Sequence, residues 1–328
     1  MSIYFLSEAK TNDAHAGSKA RNDVEIILNE KGYIPVPLYN GRNRFKILFT
    51  MLEILNKTTS NDYIVIQYPM LQGYNFWLKF LSRLRKVIVI VHDLPVLRVQ
   101  GNSKRDIKSL VNVNYIISHN KYMSNYLVRN GINKDKIYNL NLFDYLVDIN
   151  SLELKEYTNE LCFAGNLEKS NFIYSLPKEV INLGIALYGV GYNENRGKKL
   201  NYMGSYNPNE IIQHLDGKYG LIWDGDSCET CVGNFGEYMK YNNPHKLSMY
   251  IAAGIPVVVW SEAAVADFVN TNKIGISVSS LDNLDKTLNS IDGVEYNEMK
   301  KNVINLRNKV IDGQFLKKQL NVIEEKIK

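Results

Sequence analysis

Short apolar runs alternate with amphipathic segments of helical length along most of the 328-residue chain. Apolar runs of this length are typical of parallel strands that are buried on both faces of a sheet. The clearest strand candidates are Tyr63–Pro69, Lys86–Asp93, Asn114–Asn120, Leu161–Asn166, Ile185–Gly191, Gly220–Asp226 and Ile255–Trp260. Helical patterns lie between them, and two of these end at Gly32 and Gly131. The alternation predicts an α/β fold built from βαβ units.

The strand–helix rhythm restarts at Leu161, after a polar and charged segment from Asp148 to Glu160. We place a linker there and predict two Rossmann-like domains, residues 1–150 and 151–328, which face each other across a cleft. The last amphipathic segment is expected to form a helix that packs over the outside or back across the domains. Ligands of such sheets bind beyond the carboxyl ends of the strands. The loops that directly follow strands are therefore the first places to look for a site.

Composition narrows the class of protein. Hydrophobic residues make up 45% of the chain and charged residues 22%, as in ordinary globular proteins. The net charge is only +5 and the lysines are scattered, so we expect no nucleic-acid partner and at most peripheral membrane contact. The N-terminal apolar run is too short for a secretory leader, and no apolar run approaches the roughly 20 residues that cross a bilayer. These features predict a cytoplasmic protein.

Two short patterns suggest metal or redox chemistry but lack the rest of such a site. Cys228 and Cys231 have CxxC spacing without a second pair, which favours two ordinary reduced thiols. Asp224 and Asp226 follow a predicted strand and would suit a divalent metal bound to a nucleotide diphosphate. A polar turn is the favoured alternative, because no further carboxylates or histidines gather nearby. We therefore expect no metal site.

Candidates for a catalytic base or for acceptor contacts follow strands in the first half. His92 and Asp93 stand at the end of one strand, where a histidine acts as general base or simply caps the sheet edge. Asp13 and His15, followed by Gly17, lie between the first strand and its helix. The start of that helix would suit an acceptor or a phosphate, with plain helix capping as the alternative.

The stretch YNNPHKLSMYIAAGIPVVV carries the strongest binding signal. Asn243 is suited to the N-cap of a helix, and Pro244 to its first position. Lys246 then falls in the first turn, where its charge opposes the helix dipole. A bound diphosphate would remove that conflict, and Tyr241 or Asn242 on the preceding loop would reach a base or ribose. The stretch therefore predicts an anion-binding helix start, with a plain surface helix as the alternative.

Three segments together resemble a known family. FAGN opens the second half, GLIWDGD follows, and KYNNPHKLSMYIAAGIPVVV completes the order. A helix that ends in AAGIPVVV resembles the nucleotide-sugar half of GT-B glycosyltransferases. More narrowly, the chain resembles the bacterial glucosyltransferase family of accessory-Sec loci, which extends N-acetylglucosamine on serine-rich adhesins. Close relatives of that family are labelled β-1,6-galactofuranosyltransferases. The likeness covers nearly the whole chain.

The resemblance implies a GT-B enzyme with a UDP-sugar donor, no cofactor, no essential metal and a dimeric or tetrameric assembly. The nucleotide-sugar-binding positions that we assign are Gly17, Asn166, Lys169, Gly189, Tyr241, Asn242, Asn243 and Lys246. One departure concerns the glutamate pair of many retaining GT-B enzymes. Glu229 and Glu237 have its spacing, but the second precedes the helix in question. The stereochemical outcome is therefore not carried over.

The residues and the resemblance are compatible with three functions. The leading hypothesis is transfer of glucose from UDP-glucose to an acceptor that bears N-acetylglucosamine, such as a serine-rich glycoprotein adhesin. The alternative is a β-1,6-galactofuranosyltransferase that acts on a cell-surface polysaccharide. The alternative from another class is a non-catalytic GT-B-like subunit that binds a glycoprotein.

Overall fold

A computed structural model describes residues 1–8, 16–38, 44–70, 75–98, 103–148, 156–197 and 200–328. The chain divides into two compact units. One contains most of the chain up to Asn141 together with Phe315–Lys328, and the other contains Leu142–Gln314. The predicted domain boundary at residue 150 falls outside the described residues.

The first unit is a parallel sheet with helices on both faces. Its strands have the order β2-β1-β3-β4-β5-β6, and every pair is parallel. The elements in chain order are β1 (Ile3–Glu8), α1 (Ala16–Glu30), β2 (Ile34–Leu38), α2 (Arg44–Lys57), β3 (Tyr63–Tyr68), α3 (Asn75–Leu84), β4 (Lys86–Val91), α4 (Pro95–Arg98), α5 (Ser103–Leu110), β5 (Tyr115–Ser118), α6 (Lys121–Arg129) and β6 (Ile137–Asn139).

The second unit is also a parallel sheet, with the order β12-β11-β10-β7-β8-β9. This is the strand order of a dinucleotide-binding Rossmann sheet, and it reverses between β7 and β10. Its elements are β7 (Leu161–Ala164), α7 (Lys178–Asn182), β8 (Ile185–Tyr188), β9 (Asn201–Gly204), α8 (Ile211–His214), β10 (Tyr219–Ile222), α9 (Gly233–Tyr238), α10 (His245–Ala252), β11 (Val257–Trp260), α11 (Ala266–Asn272), β12 (Gly275–Val278), α12 (Leu284–Ser290) and α13 (Gly293–Ile311).

The last helix, α14 (Gln314–Ile327), packs beside α1 in the first unit. Glu324 accepts a hydrogen bond from the Tyr33 hydroxyl at 2.5 Å and pairs with Lys31 at 3.0 Å. Lys317 pairs with Glu30 at 2.7 Å. These contacts join the C-terminal helix to the end of α1 and to the loop between α1 and β2.

The predicted α/β fold is confirmed, and each of the seven strand candidates contains a strand. The strands are shorter than the candidates because their closing polar residues, such as His92 and Asp93, leave the sheet as loops. Gly32 and Gly131 follow their helices with φ of 76° and 92°, a conformation that glycine adopts without strain. None of the helices within the described ranges combines the length and apolar character that a bilayer crossing requires.

Tyr250 of α10 packs against the adjacent strands β7 and β10. Its hydroxyl accepts a hydrogen bond from the Ala164 backbone N–H at 2.9 Å and lies 3.3 Å from the Cys162 carbonyl oxygen. A Cβ on Gly220 of β10 would lie 2.3 Å from the Tyr250 ring. The tyrosine therefore occupies space that exists because residue 220 has no side chain.

Candidate functional site

The reversal of strand order in the second sheet provides a natural ligand site. Loops that leave neighbouring strands in opposite directions open a crevice at the carboxyl ends of those strands. Lys246 of α10 reaches this point. Its Nζ atom lies 4.2 Å from the ring centroid of Phe163 in β7 and 3.5 Å from the carbonyl oxygen of Trp223, which follows β10. The side chain of Lys246 therefore lies between β7 and β10, the two strands at which the strand order reverses.

The Lys246 ammonium is held in a poorly solvated place. Burial lowers its pKa below the usual value, and the carboxylate of Asp224 acts in the opposite direction. Lys246 forms no salt bridge with a carboxylate of the described ranges. A cation that loses water without gaining a close counter-ion binds an incoming anion more strongly than a surface lysine does.

One glycine, Gly165, lies directly against the Lys246 side chain. A Cβ on Gly165, directly after β7, would lie 3.0 Å from Lys246 Cε and 3.2 Å from Nζ. Contacts this short are uncommon for a real Cβ atom, so the lysine side chain would have to shift by a few tenths of an ångström. The loop after β7 therefore lies directly against the lysine side chain.

The start of α10 differs by one residue from the prediction. The helix begins at His245, and Pro244 is its N-cap with φ −65° and ψ 132°. Asn243 is therefore not the N-cap, because the extended ψ of Pro244 keeps the helix from starting earlier. Asn243 is buried, with 4% of its surface exposed. Lys246 remains in the first turn, as predicted, and at the other end Gly254 has φ 74° in the expected capping position.

The loop before α10 brings further polar groups to the same end of the helix. Tyr241 and Asn242 are partly buried. The Oδ1 atom of Asn242 is buried and accepts no hydrogen bond from any described residue. A buried acceptor without a donor is unfavourable unless a ligand hydroxyl or ring N–H supplies the hydrogen bond. The geometry thus favours Asn242 as a ligand contact.

The loops after β7 and β8 form one continuous surface. Gly165 N–H donates to the Tyr188 carbonyl at 3.0 Å, and Leu167 N–H donates to the Val190 carbonyl at 2.8 Å. Gly189 has φ 130°, and a Cβ on it would lie only 1.7 Å from the Gly165 oxygen. This close approach places two of the assigned positions, Asn166 and Gly189, on adjoining loops.

Asn166 and Lys169 belong to a tight turn after β7. The Asn166 side-chain oxygen accepts from the Lys169 backbone N–H at 3.2 Å. The Lys169 side chain is exposed, and its ammonium lies 5.6 Å from the Phe235 ring centroid in α9. Lys169 therefore supplies a second, more solvated positive charge on this unit.

The Asp224–Asp226 segment forms a polar turn. Asp224 Oδ1 accepts from the Gly225 N–H at 3.0 Å, and Asp226 Oδ1 accepts from the Asn171 amide at 2.9 Å. No group of three or more potential metal-ligating side chains occurs in the part of the chain that the structure describes.

Nearby Cys231 is a buried free thiol, and burial raises its pKa to about 12.

A second polar cluster lies at the carboxyl ends of the first sheet. His92 Nε2 lies 2.7 Å from Gln67 Oε1, and Asp93 pairs with Arg98 at 2.6 Å. The other carboxylate oxygen of Asp93 is buried and accepts no hydrogen bond within the described ranges. His119 is 2% exposed, and burial lowers its pKa to about 4 against the opposing effect of Asp93.

The first-sheet cluster includes two residues, Gln67 and His119, that are not among the residues predicted from the sequence. Gln67 is the penultimate residue of β3 and His119 directly follows β5, so both lie near the carboxyl ends of their strands. The position after a strand was the available signal, but only the tertiary contacts connect these residues with His92 and Asp93. Asp13 and His15 lie outside the described residues. Gly17 lies in the first turn of α1, and its surroundings are outside the described part.

The chain matches two domain models of one family. The Glucosyltransferase 3-like N-terminal domain matches residues 3–142, and the Glucosyltransferase 3-like C-terminal domain matches residues 161–323. The β-1,6-galactofuranosyltransferase WbbI of Escherichia coli is 34% identical over an alignment of 339 positions that covers 99% of this chain and 98% of WbbI. Glucosyltransferase 3 of Streptococcus gordonii is 25% identical over 317 residues, which cover 92% of each chain.

Solved structures of more distant proteins share the fold. Anabaena HepE in complex with UDP-glucose has a TM-score of 0.58 at 12% identity, with 99% of this chain and 100% of HepE covered. An α-glucosyltransferase in complex with UDP and DNA has a TM-score of 0.61 at 14% identity, with 99% of each chain covered. At this identity the likeness concerns the fold alone. The two domain models and the full-length relatives establish that the chain belongs to the glucosyltransferase 3-like family and is a glycosyltransferase, and its fold is the GT-B fold.

Proposed function

We propose that the enzyme transfers a hexose from a UDP-sugar, with UDP-glucose as the favoured donor, to an acceptor that carries N-acetylglucosamine. The observation that carries the donor assignment is the partly buried Lys246 ammonium at the strand-order reversal. A diphosphate is the anion that suits this place, because it accepts both from the ammonium and from the backbone N–H groups at the start of α10.

The donor side performs electrostatic catalysis in this proposal. As the bond between the anomeric carbon and the phosphate oxygen breaks, negative charge grows on UDP. Lys246 and the start of α10 stabilise that charge, and Lys169 adds a weaker, solvent-screened contribution. Asn242 Oδ1 accepts a hydrogen bond from the ribose or the base, while Tyr241, Asn243, Asn166 and Gly189 border the nucleotide. Gly17 is retained as a proposed donor contact.

The acceptor side is assigned to polar residues of the first unit. An acceptor hydroxyl attacks the anomeric carbon, forms the new glycosidic bond and loses its proton to a base. Asp93 has a buried carboxylate oxygen that accepts no hydrogen bond from the described residues. Its sequence neighbour His92 lies within hydrogen-bond distance of Gln67. Asp13 and His15 are retained as alternative candidates. The pH dependence of turnover, measured for single variants of these four residues, identifies the base.

A second candidate activity is transfer of galactofuranose to a cell-surface polysaccharide. The higher identity to WbbI, 34% against 25% for Glucosyltransferase 3, favours it specifically. Both candidates use the same donor diphosphate site, and they differ in the contacts with the donor sugar's hydroxyls and in the acceptor. We further propose a cytoplasmic homo-oligomer, dimeric or tetrameric, in accord with the family resemblance.

A donor panel tests the proposed function. The full chain is incubated with UDP-glucose, UDP-galactose, UDP-N-acetylglucosamine and UDP-galactofuranose, with N-acetylglucosamine-bearing peptide or polysaccharide acceptors. Products are identified by mass spectrometry, and UDP release without acceptor is measured in parallel. A glucosylated peptide supports the leading candidate and a galactofuranosylated glycan supports the second. Neither transfer nor UDP release with any donor would overturn the enzymatic assignment.

Two remaining alternatives have separate tests. A non-catalytic glycoprotein-binding subunit would bind acceptor without any UDP-sugar turnover. A metal-dependent enzyme would use Asp224 and Asp226 to hold a cation on the diphosphate, and EDTA would then abolish its activity. We propose metal-independent transfer without any cofactor, so activity should persist fully in EDTA.

A further inference from the structure

Helices α2 and α3 of the first unit expose large apolar side chains. Phe49 is 64% exposed, and Leu48 and Leu52 of the same helix are 47% and 46% exposed. Phe80 and Leu84 of α3 are 42% and 40% exposed. Leu48 and Leu52 lie one helical turn apart, as do Phe80 and Leu84, so each helix presents adjacent exposed apolar side chains, a feature of interaction sites. We call these five residues the α2–α3 surface.

The two helices lie on the same face of the first sheet. They connect β2 to β3 and β3 to β4, both in the same direction along the sheet, and right-handed crossovers then place them on one face. Arg85 fixes their ends side by side, since its guanidinium donates to the Leu55 carbonyl at 3.0 Å and to the Thr58 carbonyl at 2.9 Å. The exposed apolar residues of α2 and α3 therefore belong to neighbouring helices.

Basic residues clearly outnumber acidic residues on these two helices. Helices α2 and α3 together contain five basic residues and a single acidic one, Glu53. Glu53 pairs with Lys57 at 2.7 Å. On α3, the exposed Lys79 and Arg83 precede the exposed Phe80 and Leu84 in sequence, so cationic and apolar side chains alternate along its outer side. This alternation is typical of helices that lie in the interface of an anionic bilayer.

We infer that the α2–α3 surface docks the enzyme on an anionic phospholipid bilayer. The apolar side chains enter the boundary between head groups and acyl chains, while Lys79 and Arg83 contact lipid phosphates. A second copy of this chain is a poorer occupant, because two equally basic surfaces repel each other. An anionic membrane gains from the same charges. The inference does not depend on the identity of the donor sugar.

Vesicle sedimentation tests the docking surface with the full chain. Wild-type protein is mixed with vesicles of phosphatidylcholine alone or of equal parts phosphatidylcholine and phosphatidylglycerol. We expect binding to the anionic vesicles only, weakened by high salt. The double variant Lys79→Glu and Arg83→Glu should lower the partition coefficient about 30-fold or more, because each basic residue near the surface contributes to binding. Phe49→Ser with Phe80→Ser should also lower it.

Matched controls separate docking from general effects. Lys301→Glu with Lys309→Glu makes the same change in net charge on exposed positions of α13, and Val294→Ser removes an apolar side chain that is 78% exposed. These variants should bind vesicles as the wild type does. Absence of wild-type binding, or equal loss in the controls, would overturn the inference. Self-association that Phe49→Ser and Phe80→Ser abolish, without vesicle binding, would identify a chain–chain interface instead.

Discussion

Lys246 and Gly165 lie so close together that a single methyl group on the glycine would press on the lysine side chain. The distance from an ideal Cβ to Lys246 Cε is 3.0 Å, and the ammonium lies at 4.2 Å from the neighbouring Phe163 ring. The lysine is thus confined by the loop after β7 rather than left to move in solvent. Confinement reduces the side-chain entropy that anion binding must overcome.

The glycines after β7 and β8 should differ sharply in their tolerance of alanine. Gly189→Ala should destabilise the fold by several kcal/mol, because its φ of 130° and a 1.7 Å approach to the Gly165 oxygen exclude a Cβ. Gly165→Ala should cost less stability but weaken UDP binding by displacing Lys246. Chemical denaturation and calorimetry measure the two effects. Gly293→Ala is the control, since nothing lies within 4 Å of its Cβ position, and it should be neutral or stabilising.

Tyr250→Phe should lower the free energy of unfolding, because Tyr250 hydrogen-bonds to the backbone at the end of β7. Removal of the hydroxyl leaves the buried Ala164 N–H without its 2.9 Å partner, which costs about 1–3 kcal/mol. Urea denaturation should show this loss, and UDP affinity should fall because Lys246 lies one turn earlier on the same helix. Tyr296→Phe removes only a long, exposed contact and should change stability by less than about 0.5 kcal/mol. Equal effects of the two substitutions would contradict the role given to Tyr250.

UDP affinity should fall at alkaline pH because Lys246 must be charged to bind the diphosphate. Burial lowers its pKa below the ordinary lysine value, so the loss of charge begins at a lower pH than for a surface lysine. Calorimetric titration of UDP between neutral pH and pH about 10 measures this effect. Lys246→Met should show weaker binding without the alkaline fall. A wild-type affinity that stays constant over this range would contradict the assignment.

His119 should make the fold sensitive to mild acid. Its folded pKa is about 4 because of burial, against 6.5 unfolded, so the unfolded chain binds the proton first as pH falls. Stability from this group is therefore complete above pH 6.5 and is lost on the way down to pH 4. Between neutral pH and pH 5 the loss is about 2 kcal/mol. His119→Asn should flatten that dependence in urea denaturation, and an unchanged slope would refute the buried neutral state.

The sequence predicted the elements that local patterns encode. The central strands follow from apolar runs, and Lys246 was found because a lysine in a first helical turn conflicts with the helix dipole. The start of α10 differs by one residue from the prediction, since the fixed φ of Pro244 suits both a helix and the extended conformation that it adopts, with ψ 132°. Pattern alone did not indicate the partner of Tyr250, because its contact with Ala164 joins residues 86 positions apart.

The first-sheet cluster shows the same limit. His92 and Asp93 directly follow β4 and were predicted from that position. Gln67 and His119 belong to the same cluster but come from β3 and from the loop after β5. Their importance depends on which strand ends become neighbours and on how deeply each side chain is buried. Burial changes the protonation of His119, and no property of the histidine in sequence reports it.

Calorimetric titration with UDP tests the central claim most directly. Wild-type protein should bind UDP, and Lys246→Met should bind it about 10–100-fold more weakly through loss of a charge-assisted hydrogen bond. Lys218→Met removes an exposed lysine from the same unit and should bind like the wild type. A wild type without measurable UDP binding, or a Lys246→Met variant that binds UDP as tightly as the wild type, would contradict the account.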